Sequence, residues 1–71
     1  MIEEYDIIEL IEEMSPDLKI GTQGTVLMIH PASPMAYEVE FVNEAGETLA
    51  VRTVRETQIR KIGGIGVSSS R

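Results

Sequence analysis

Tyr37-Glu38-Val39-Glu40-Phe41-Val42-Asn43-Glu44-Ala45-Gly46 alternates apolar with acidic residues and then stops on a turn. Successive side chains of a strand point to opposite faces. Tyr37, Val39 and Phe41 therefore share one face, and Glu38 and Glu40 share the other. This is the pattern of a strand with one face in a core and one in water. Asn43-Glu44-Ala45-Gly46 reads as a hairpin loop, a type I turn closed by a glycine in the left-handed region. Residues 47–54 then return antiparallel. Their alternation is imperfect, since Ala50 and Val54 fall out of phase with Leu49 and Val51. A bulge or a bend accounts for the slip.

Upstream, Thr25-Val26-Leu27-Met28-Ile29-His30 is a second strand, interrupted by Pro31 and Pro34, which donate nothing to a ladder. Both of its faces are apolar, with Gly24, Val26 and Met28 on one and Leu27 and Ile29 on the other. Two readings stand. A strongly bent strand can serve both halves of a small barrel. Alternatively Leu27 and Ile29, with Met35, Ile65 and Val67, form an exposed patch for a partner, for which methionine is an adaptable side chain. Gly21-Thr22-Gln23-Gly24 is a tight corner. Gly21 is expected at positive φ, and Gly24 at a close approach of two backbones. Ser15-Pro16-Asp17 is a turn in which proline presets φ and the polar side chains bond nearby backbone. Before it, Ile7, Leu10, Ile11 and Met14 lie at helical spacing, yet residues 5–11 are rich in β-formers. The turn and the glycine corner that follow favour a strand. Downstream, Arg55-Glu56-Thr57-Gln58 fits one turn of 3-10 helix, and Ile59-Arg60-Lys61-Ile62 a last short strand.

Five short strands, a long first loop, the Gly-x-x-Gly corner, a central hairpin and a 3-10 turn describe an all-β, five-stranded, SH3-like barrel. The barrel is expected over residues 1–62, with a flexible tail over residues 63–71. Gly21-Thr22-Gln23-Gly24-Thr25-Val26 resembles the corner of many such barrels, ribosomal KOW modules among them. The wider set resembles a family of short bacterial and cyanobacterial proteins labelled domain of unknown function 4926. That set is Tyr5-Asp6-Ile7-Ile8-Glu9-Leu10, then residues 18–26, then Ala36-Tyr37-Glu38-Val39-Glu40-Phe41-Val42, Gly46-Glu47-Thr48 and Ile59-Arg60. The resemblance spans residues 2–62. It implies an SH3-like barrel and no established activity, so it supplies no site.

Seventy-one residues make one small domain with a thin core. Without cysteine there is no disulfide and no thiolate metal site. With no apolar run of spanning length and no export-signal pattern, the expected compartment is the cytoplasm, away from membranes. The formal charge is −6. Seven of the twelve acids lie in the first 17 residues, and five of the six bases in the last 20. The two ends are expected to pair across the sheet. An acidic surface disfavours nucleic acid unless the few cations cluster.

The residues for most chemistries are missing. His30, the one histidine, precedes a proline at a strand end and reads as an ordinary surface residue. Glu9, Glu12, Glu13 and Asp17 match no cation-binding loop. Glu38 and Glu40 share a strand face as a glycosidase pair would, but a glutamate-rich solvent face is the commoner arrangement. No catalytic, cofactor or metal residue is therefore assigned, and no cofactor is expected. With no tryptophan and three aromatic residues, Tyr5, Tyr37 and Phe41, there is no aromatic groove for polyproline. The expected function is a non-enzymatic binding module whose partner is another protein or a second copy, in the manner of an accessory, antitoxin or immunity protein. Its interaction surface is Leu27, Ile29 and Met35. The alternative is a KOW-like RNA- or ribosome-associated module using Arg52, Arg55, Arg60 and Lys61. A small carboxylate-based enzyme is third.

Overall fold

The computed structural model describes residues 2–31 and 34–63. Five strands follow one another: β1 (Ile7–Leu10), β2 (Gln23–His30), β3 (Ala36–Val42), β4 (Thr48–Arg55) and β5 (Ile59–Gly63). A 3-10 turn, Glu56–Gln58, separates β4 from β5, and Gln58 caps it by accepting from the Arg55 amide at 2.8 Å. All pairings are antiparallel, in the order β4-β3-β2-β1-β5. The all-β class, the five strands and the 3-10 turn are as expected, and the order is compatible with an SH3-like fold. The sheet does not close, however: β4 and β5 are its two edges, and the 3-10 turn joins them without a ladder. The amino-terminal apolar run is a strand and not a helix, because β1 is held between β2 and β5. Most of the tail, residues 64–71, lies outside the described residues.

The alternation on β3 sets the core. Tyr37, Val39 and Phe41 are buried, and they meet Ile8, Leu10, Val26, Val54 and Ile59 from the other four strands. Leu18 closes the core from the long first loop. Its amide donates to the Ser15 carbonyl at 3.0 Å, completing the turn around Pro16 and Asp17. Gly21 sits at φ +92° and donates to the Leu10 carbonyl at 2.8 Å, which turns the chain into β2. The β3–β4 turn is also as expected. Gly46 has φ +84°, and Asn43 Oδ1 accepts from the amides of Ala45 and Glu47, both at 2.9 Å.

Three register slips decide which apolar residues stay outside. On β2, Val26 stands opposite Val39 and Met28 opposite Glu38, so Leu27 is the extra residue. On β4, Ala50 stands opposite Phe41 and Thr48 opposite Val42, so Leu49 is extra. On β5, Lys61 stands opposite Ile8 and Gly63 opposite Ile7, so Ile62 is extra. All three bulged residues are exposed aliphatics. A bulge inserts one residue and reverses the alternation after it. The strand's apolar surplus is thereby turned outward.

Candidate interaction surface

The bulge at Leu27 redistributes the expected patch. Leu27 and Met35 are both 37% exposed. Ile29, the third expected member, is half-buried and packs against the core. Beyond the bulge the phase is inverted, so Met28 takes the outward place and is 51% exposed. Regular alternation put Met28 on the inner face. With both faces of β2 apolar, the sequence reading offered a bent strand or an exposed patch and did not place a bulge there.

The outer face of the sheet continues from this cluster across β3 and β4. Glu38 and Glu40 are half-buried there, opposite Thr53 and Val51 on β4. Glu38 Oε1 lies 3.1 Å from His30 Nε2, and Glu40 accepts from the Thr48 hydroxyl. His30 thus orients a neighbouring carboxylate on an open face. At the far end, where Gln23 stands opposite Val42, a cleft of about 590 Å³ opens between the glycine corner and the hairpin. Ile20 and Leu49 flank it, with Thr22, Asn43 and Glu44 among its walls. Ile20 is 68% exposed. The sequence reading missed this cleft. Its legible trace was Leu49, out of phase with Ala50 and Val54.

Two of the four cations of the alternative reading are held in ion pairs. Arg60 Nε donates to Glu9 Oε2 at 3.0 Å, and Lys61 Nζ lies 3.3 Å from the buried Asp6 carboxylate. Asp6 also accepts from the Glu3 amide at 2.7 Å. Gln58 adds a bond to Glu12 at 3.0 Å. The acidic amino-terminal segment and the basic carboxyl-terminal strand thus hold each other, as the charge distribution predicts. Arg52 and Arg55 are exposed on edge strand β4, and among the described residues neither has a carboxylate within ion-pair distance. Among the described residues no three histidine, aspartate or glutamate side chains are grouped to hold a metal ion. No helix there is long and apolar enough to cross a membrane.

The model of the family described as domain of unknown function (DUF4926) matches residues 4–61. That span is most of the chain and reaches into all five strands. The chain belongs to this family. Membership in DUF4926 covers the glycine corner, the β3–β4 hairpin and the 3-10 turn, and it brings no activity with it. No curated protein and no solved structure matches the chain.

Proposed function

We propose that this DUF4926 chain is a non-enzymatic binding module that acts by occupying another protein. It would serve as an accessory subunit or in the manner of an antitoxin or immunity protein. The observation that carries this reading is the exposure of three apolar side chains, Leu27 and Met28 at the β2 bulge and Met35 just before β3. Fully burying one such side chain is worth about 1.5–3 kcal/mol, and these three are already partly covered. Their contribution is too small for tight binding once association entropy is counted. Polar contacts have to add to it. The charge of −6 favours a basic partner and speeds the encounter.

The RNA reading is weakened by the ion pairs. With Arg60 and Lys61 held by Glu9 and Asp6, two of its four cations are already engaged. Of the three aromatic residues, Tyr37 and Phe41 are buried in the core, which leaves Tyr5 alone for stacking on a base.

The test is affinity capture from the native host, followed by reconstitution with the purified partner. A partner should bind the wild type and lose the Leu27→Lys/Met28→Glu variant, whose fold is retained. Capture of no protein, or equal binding by the variant, would refute the reading.

A further inference from the structure

The outer face of β2, β3 and β4 has an order along its length. Ala36, Glu38, Glu40 and Val42 are the outward residues of β3. At the Val42 end lies the cleft flanked by Ile20 and Leu49, and at the Ala36 end stand His30 on β2 and Arg55 on β4. Between these ends stand the two carboxylates, about 7 Å apart along the strand. Glu38 has Met28 and Thr53 beside it, and Glu40 has Thr25 and Val51, of which Met28 and Val51 are exposed. The face is therefore a track with a partly apolar cleft at one end, an acidic centre with one apolar neighbour to each carboxylate, and a basic residue, Arg55, where the acidic row stops.

An extended peptide laid along β3 presents every second side chain downward with the same repeat of about 7 Å. Seven residues run from Ala36 to Val42. We infer that this track receives an extended segment of the partner protein in which two basic side chains, two residues apart, are followed or preceded at the same spacing by an aliphatic one. The assignment rests on the protein-binding reading and adds the chemistry of the bound segment. The two cations meet Glu38 and Glu40, where Met28 and Val51 reduce access of water to the pairs. The aliphatic side chain enters the cleft beside Leu49. The overall negative charge of the chain acts in the same direction as these local contacts.

The test uses the full chain, isotope-labelled, and a synthetic probe, acetyl-Leu-Thr-Lys-Thr-Lys-Thr-Leu-amide. Amide shifts on titration should fall on β2, β3 and the first half of β4. The same peptide with glutamate for lysine should shift nothing. The variant Glu38→Gln/Glu40→Gln keeps acceptors for Thr48 and should weaken the lysine peptide about tenfold, with an unchanged unfolding midpoint. Shifts scattered over the chain, or an affinity unaltered by Glu38→Gln/Glu40→Gln, would overturn the assignment. If that variant keeps its affinity while Leu27→Lys/Met28→Glu loses it, the basic segment is wrong and the protein-binding reading stands. If neither variant changes binding, both fall.

Discussion

A Cβ at position 24 would stand 2.6 Å from Val39 Cγ1 and 2.8 Å from the Glu40 carbonyl oxygen. Only glycine lets β2 lie this close to β3. Gly24→Ala therefore overpacks the sheet and should cost about 1–3 kcal/mol, a large part of what so small a domain has. Urea unfolding measures it. The position was readable because the second glycine of a Gly-x-x-Gly corner opens a β-rich run. Tyr37 carries a different kind of information. Burial, with the Glu56 carboxylate acting in the same sense, pushes its phenol above the ordinary range. The folded state thus favours the neutral phenol, while the unfolded chain ionises first, near pH 10. The resulting stability is complete below about pH 10 and is lost as pH rises through the higher folded value. Unfolding midpoints of wild type and Tyr37→Phe should therefore keep a constant difference up to that point. The wild type should then lose stability relative to the variant above it.

The strands were legible where alternation is clean and blurred where it slips. β3 has no extra residue, so Tyr37, Val39 and Phe41 could be placed inside from the sequence alone. On β2 the alternation breaks, and regular counting put Met28 inward and Ile29 outward. The bulge at Leu27 reverses both. Nothing in a run of four apolar residues, Val26 to Ile29, says which of them is the extra one, because periodicity carries that information only when polar residues interleave. The element-scale prediction follows. Deleting Leu27 removes the unpaired residue and leaves Val26 inward, Met28 outward and Ile29 inward. Cooperative unfolding and slow amide exchange on β3 should survive. Deleting Val39 instead shifts β3 by one residue and turns Phe41 to the solvent face, and that chain should not fold. Hydrogen exchange distinguishes the two cases.

Across the whole molecule, opposite charges from the two ends of the chain meet at one edge of the sheet. Glu9 and Asp6 pair with Arg60 and Lys61 of β5, which the uneven distribution of charge along the sequence foretold. Their energetic weights differ. Arg60 is two-thirds exposed, so Arg60→Gln should change stability by no more than about 0.5 kcal/mol. Lys61→Gln should cost clearly more, because Asp6 is buried and would lose its cation. Thermal melts of the two variants give the order. The surplus aliphatics lie on the opposite side of the account: Leu27, Met28, Leu49 and Val51 are exposed, although a chain this short has few hydrophobes to spare. Which apolar residues stay outside was only half legible for that reason. Composition shows how many apolar residues there are, and the bulges decide which ones the core leaves out. The central claim is that the outer face of β2 serves contact and not folding. Urea unfolding of Leu27→Lys/Met28→Glu tests it most directly. The account predicts a midpoint and slope like the wild type's, within about 0.5 kcal/mol. A loss of about 2 kcal/mol or more would place these side chains in the core and contradict it.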